Sequence, residues 1–132
     1  MAKSNVKAAF HSDIETLWNI ITYLGHYAWR SDISKIEIVE DKKQFIEYTS
    51  DGYPTTFTIT AFEPYSRYEF DMENTKMHGH WTGLIEETDE GTVVDFTEDV
   101  TAKSLLLRPF VKAYLKKQQE QYICDLKKGL DG

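Results

Sequence analysis

A single cysteine, Cys124, excludes an intrachain disulfide, and a reducing, cytoplasmic setting is the default expectation. Positive charge is in short supply: fifteen Lys and Arg against twenty-two Asp and Glu leave a net charge of −7. An acidic surface repels phosphate backbones and anionic lipid heads, so neither nucleic acid nor membrane insertion is expected. No apolar run approaches the roughly 20 residues of a spanning helix, and the stretch Met1-Ala-Lys-Ser-Asn-Val-Lys does not resemble a secretory leader. A glycine-rich phosphate loop, a nucleophile elbow and a paired-cysteine motif are all missing, so no cofactor is expected. With three prolines and seven glycines, and no repeat or low-complexity tract, the chain reads as one globular domain, residues 1–132.

Aromatic residues are abundant. Three Trp, eight Tyr and seven Phe make up 14% of 132 residues. Such rings suit a core and a ligand cavity equally, and buried Tyr and Trp also need polar partners.

Residues 5–11 read as a strand with Val6, Ala8 and Phe10 on one face. Ser12-Asp13-Ile14-Glu15 has the form of a capping box, and Ile14, Leu17, Trp18 and Ile21 behind it have amphipathic helical spacing. Gly25 ends that helix, and 26–31 reads as a second short helix or turn carrying Tyr27 and Trp29. From Lys35 the period becomes two, and turn residues divide the next stretch into six strands connected mostly as hairpins. From about Ser104 to Leu130 the spacing is helical, with Leu107, Phe110, Val111, Tyr114, Leu115, Gln118, Gln121 and Tyr122 recurring every three or four residues. Pro109 places the start of the continuous helix, or a kink, near itself. Lys112, Lys116, Lys117, Lys127 and Lys128 read as a solvated helix face, and Cys124, beside Tyr122, Ile123 and Leu126, as a packing residue.

A meander of hairpins has one face to bury, and a helix of roughly 20 residues runs about 30 Å, enough to cross a small sheet. The expected fold is therefore α+β: a curved, seven-stranded antiparallel sheet, two short helices, and a long C-terminal helix over a cavity.

The order of elements and several local motifs resemble the START/Bet v 1-like superfamily, with its helix-grip fold, and specifically the bacterial polyketide cyclase/dehydrase-like branch. The resemblance covers essentially the whole chain. It rests on Ile14-Glu15-Thr16-Leu17-Trp18, Tyr27-Ala28-Trp29, the proline hairpin Thr60-Ala61-Phe62-Glu63-Pro64-Tyr65-Ser66-Arg67-Tyr68, and Glu90-Gly91-Thr92-Val93-Val94, with Leu126-Lys127-Lys128 closing the last helix. It implies a fold more than a function, since the superfamily includes lipid and hormone binders, aromatase/cyclases and co-chaperone domains.

In Met77-His78-Gly79-His80-Trp81-Thr82-Gly83-Leu84-Ile85, alternation divides the two histidines from Gly79, Trp81, Gly83 and Ile85. The partner strand turns Val94, Phe96, Glu98 and Val100 inward, and alignment across Gly91 then places Trp81 inward and His78 and His80 outward. A metal site is not expected there, because the pair lacks further committed ligands. Gly79 and Gly83 either leave notches beside Trp81 or mark a bend in a coiled strand. Glu98 is the polar member of an apolar row: a candidate for proton transfer or ligand orientation, or a residue at a wet end of the sheet.

The expected cavity wall comprises Tyr68, Phe70, Met72, Gly79, Trp81, Gly83, Phe96 and Glu98 on the sheet, with Phe110, Tyr114 and Gln118 on the helix. Three functions compete. The first is binding of a small hydrophobic, ring-containing metabolite by a monomer or homodimer. The second is an aromatase/cyclase-like enzyme using Glu98, Tyr114 and Gln118. The third is a co-chaperone-like interaction module, disfavoured because the outward faces read as charged, with no apolar patch.

Overall fold

The computed structural model describes residues 2–131. In chain order it contains β1 (Ala2–Phe10), α1 (Ile14–Thr22), β2 (Lys35–Glu40), β3 (Gln44–Tyr48), β4 (Pro54–Glu63), β5 (Arg67–Glu73), β6 (Met77–Thr88), β7 (Gly91–Ala102) and α2 (Val111–Asp131), with a 3₁₀ turn at Arg108–Phe110 leading into α2. The seven strands form one antiparallel sheet in the order β1-β7-β6-β5-β4-β3-β2. Hairpins connect β2 through β7, and β1 closes the other edge by pairing with β7, Val6 opposite Phe96. Irregularities between Ile38 and Glu40 and between Ile59 and Ala61 interrupt the ladders, as bulges do where a sheet bends.

One face of the sheet is buried. Val94, Phe96 and Val100 of β7 and Trp81 and Ile85 of β6 enter the core with Leu17, Trp18 and Ile21 of α1. On α2 the buried positions Leu115, Gln119 and Leu126 follow helical spacing, with Asp125 beside the last. Gln119 joins the helix to the first strand: Ser4 Oγ donates to its Oε1 at 2.7 Å, and its Nε2 donates to the Ser4 carbonyl at 3.0 Å. Among the described residues no helix is long and apolar enough to cross a membrane.

Several local expectations need correction. The first helix is capped by Asp13, in extended conformation and without a side-chain cap bond, rather than by the Ser12–Glu15 box. The Ser12 carbonyl instead accepts the Thr92 hydroxyl at 2.7 Å, so the sheet holds this residue and the helix starts one position later. Residues 26–31 take the turn of the two forms expected, so one short α-helix precedes the sheet meander rather than two. Side-chain anchors fix this path: Arg30 bonds Asp32 and Glu47, and Asp125 accepts the Ser31 amide and hydroxyl at 2.9 and 2.8 Å. Cys124 is exposed. At 100° per residue it lies on the side of α2 opposite Tyr122 and Leu126.

The 3₁₀ turn at Arg108–Phe110 also breaks the stripe extrapolated back from α2, because three residues per turn replace 3.6. Phe110 is consequently 67% exposed, and Leu105, Leu106 and Leu107 are exposed beside it in sequence. The surface therefore does carry an apolar segment, contrary to the sequence reading.

Candidate functional site

A chain of aromatic contacts crosses the inner face of the sheet. Phe45 stacks on Phe57 at 4.9 Å between centroids, Phe57 meets Phe70 edge-on at 5.1 Å, and Phe70 stacks on Trp81 at 4.8 Å. Trp81 then meets Phe96 at 4.9 Å, Phe96 meets Tyr122 of α2 at 5.6 Å, and Tyr122 meets Trp29 at 5.3 Å. Each strand contributes through register: Phe45 opposite Phe57, Phe70 opposite Trp81, and Phe96 opposite Gly83.

Between these rings and α2 lies a cavity of about 190 Å³. Tyr68, Phe70, Met72, Trp81, Phe96 and Glu98 line it from the sheet, and Tyr114 and Gln118 from the helix. Tyr23, Asp32 and Tyr114 line it while remaining partly exposed, which marks the side where it meets solvent.

Three residues assigned to the wall from sequence do not line it. Phe110 turns outward on the 3₁₀ segment. Gly83 leaves no notch, because the ring of Trp81 fills the space: a Cβ there would stand 2.5 and 2.6 Å from Trp81 Cη2 and Cζ3. Gly79 packs against its neighbour strand, where a Cβ would stand 2.6 Å from the Asp99 carbonyl oxygen and 2.8 Å from Val100 Cγ2. Both glycines serve close approach rather than open space.

The polar end of the cavity was largely invisible in the sequence. Arg30 is held between two carboxylates: Nε and Nη2 donate to Asp32 at 2.9 Å each, and Nη1 and Nη2 donate to Glu47 at 3.1 and 3.3 Å. Burial opposes its charge, but Glu47 and then Asp32 outweigh burial and raise its pKa. Its guanidinium also lies 5.1 Å from the centroid of Tyr122. Arg30, Asp32 and Glu47 are far apart in spacing from any candidate residue, and only the turn at 26–31 brings them beside β3.

Glu98, the register partner of Trp81, lines the same cavity and makes no side-chain hydrogen bond among the described residues. Burial pushes its carboxyl up to about 7, with Arg30 opposing and Glu47 reinforcing the shift. Among the described residues the buried Tyr68 hydroxyl has no hydrogen-bond partner, in a residue only 3% exposed. Burial likewise raises the phenols of Tyr68 and Tyr122 well above the ordinary value. On α2, Gln118 Nε2 donates to the Tyr114 hydroxyl at 2.8 Å, whereas Gln121 leaves the cavity and donates to Asp125 Oδ1 at 2.8 Å.

The opposite face of the sheet carries the histidines. His80 Nδ1 lies 2.7 Å from Asp71 Oδ1 and its Nε2 lies 2.7 Å from Glu69 Oε1. Burial disfavours the imidazolium, but the bonds to Asp71 and Glu69 outweigh it and raise the pKa. Arg67 and then His80 pull Glu69 down to about 2. Both imidazole nitrogens are thus committed to carboxylates, and no group of three or more ligand-type side chains suited to a metal occurs among the described residues.

Similar architecture recurs in solved structures. A START superfamily protein from Mycobacterium smegmatis superposes with a TM-score of 0.89 at 12% identity, covering 99% of this chain and 98% of that one. The AHSA1-like protein from Aeromonas hydrophila gives 0.72 at 18% identity, covering 98% and 94%. DynU16, from the dynemicin biosynthetic locus, gives 0.78 at 12% identity, covering 99% of this chain and 48% of that one. These likenesses establish the START/Bet v 1 fold alone. A search of curated proteins returns no match. The profile of the family described as polyketide cyclase / dehydrase and lipid transport matches residues 1–131, and the chain belongs to that family.

Proposed function

We propose that this protein binds a small, largely hydrophobic, ring-containing molecule in the cavity between the sheet and α2. The observation that carries the reading is the Tyr68 hydroxyl, buried and unpartnered among the described residues, in a cavity wall rich in aromatic rings. A buried polar group without a partner costs roughly 1–3 kcal/mol, a cost that a guest offering a hydrogen bond removes. The family description, with its lipid transport and cyclase members, supports a hydrophobic ligand without naming one. Titration with ring compounds while following tryptophan emission tests the reading. Saturable quenching that is lost in Trp81→Leu is expected; a flat response to every ring compound would count against it.

A second reading, an aromatase/cyclase-like enzyme, is favoured by Glu98. A carboxyl held at about 7 inside a cavity is suited to giving and taking a proton near neutral pH. Tyr114 and Gln118 would then orient the substrate. Turnover of a linear polyketide mimic that survives Glu98→Gln at full rate would eliminate this chemistry.

A further inference from the structure

The cavity wall is charged asymmetrically. Three carboxylates, Asp32, Glu47 and Glu98, face one guanidinium, and the remaining basic side chain along the wall is His26. Arg30 is already committed, with four hydrogen bonds of 2.9 to 3.3 Å to Asp32 and Glu47. The charged and titratable groups around Glu98 are Arg30 and Glu47 across the cavity and Tyr114 and Tyr122 from α2, with Asp32 beyond. None of them offers Glu98 a free cation.

A carboxylate or phosphate guest would therefore enter a region with surplus negative charge, and could take a bidentate hold on Arg30 only by displacing Asp32 or Glu47, since four of its five N–H donors are already used. A cationic nitrogen meets the opposite situation. It pairs with Glu98 among the aromatic rings of the wall, where the oxygen of the Tyr68 hydroxyl is a second acceptor lacking a partner among the described residues. The Tyr68 hydroxyl is a feature of the wall separate from the carboxylates, and it too calls for a polar guest.

We propose that the cavity selects small ring compounds bearing a cationic nitrogen, with Glu98 as their ion-pair partner, over the matching carboxylates. This rests on the binding reading above and assigns the charge of the ligand. Pairing favours the ionised form of Glu98, so affinity for such a guest rises with pH from about 5 to about 8, through the range in which Glu98 ionises. Arg30 keeps its charge throughout that range, and Tyr68, Tyr114 and Tyr122, whose phenols are raised by burial, remain neutral.

Three naphthalene probes differing only in the polar group test this: 1-naphthylmethylamine, 1-naphthylmethanol and 1-naphthoate, titrated calorimetrically into the full chain at pH 8. The amine is expected to bind on the order of tenfold more tightly than the carboxylate, as one desolvated charge pair allows. Glu98→Gln should reduce that preference to within about threefold, while Glu98→Asp should retain most of it. A carboxylate that binds as tightly as the amine, or a preference unchanged in Glu98→Gln, overturns the proposal while leaving the cavity a binding site. If none of the three binds to a protein with native circular dichroism, the binding reading falls as well.

Discussion

Trp81 and Glu98 are register partners on adjacent strands, so an indole of the cavity wall and the carboxyl that makes no side-chain hydrogen bond among the described residues stand side by side on the inner face. Stability alone does not account for this pairing. A carboxyl whose pKa is raised from 4.5 to about 7 is favoured by folding only in its protonated form. Its stabilising contribution is complete below about pH 4.5, falls as pH rises toward 7, and stays low above it. The Glu98→Gln variant should therefore be more stable than the parent at pH 8, by on the order of 1–3 kcal/mol, and nearly equal to it at pH 4.5. Urea denaturation at the two pH values measures this. A less stable variant at pH 8 would show that Glu98 has a partner that strengthens the fold.

Gly83 is where Trp81 bends over the sheet. The added methyl of Gly83→Ala meets the far edge of the indole, so the ring must shift. The expected cost is about 1–3 kcal/mol, the usual range for overpacking, with a changed near-ultraviolet dichroism spectrum and weakened binding of ring probes. An unchanged spectrum and affinity would mean that Trp81 does not define the wall.

Asp125 holds the turn at 26–31 against α2 and thereby keeps Arg30 in the cavity. It is 4% exposed and accepts from the Ser31 amide, the Ser31 hydroxyl and Gln121. Burial works against its charge, but the bonds from Ser31 and Gln121 outweigh it and lower its pKa. Its contribution is thus present above its ordinary value near 4 and lost as pH falls through the lowered one. Asp125→Ala should cost about 2–3 kcal/mol at pH 7 and open residues 23–34 to limited proteolysis before the sheet unfolds. Cleavage at the parental rate would contradict this anchoring role.

His80 tests the outer face. Its raised pKa means that its ion pairs with Asp71 and Glu69 stabilise the protein fully below about 6.5 and fade as pH rises through the higher folded value. The side chain is 38% exposed, so screening keeps the effect small. Comparing thermal midpoints of the parent and His80→Ala should show a gap at pH 6 that narrows by pH 9. A gap independent of pH would assign His80 a packing role instead.

The sheet and long helix were legible because period-two and period-3.6 patterns report burial directly, as in Val94, Phe96 and Val100 or Leu115 and Tyr122. The inward row of β7 likewise singled out Glu98. The polar end was not legible, because Arg30, Asp32 and Glu47 belong to no periodic pattern and meet only through an irregular turn. Gln119, buried against Ser4, was missed beside Gln118 and Gln121, since spacing alone does not say which of several neighbouring amides faces the sheet. Phe110 failed for a geometric reason: helical spacing was carried back across a 3₁₀ turn.

Native mass spectrometry of the chain purified from its own host tests the central claim most directly. The account predicts a population heavier than the bare polypeptide by one small ring-containing molecule, released on denaturation and absent from Trp81→Leu. Only the bare polypeptide mass, together with no retention of any added ring compound, would contradict it.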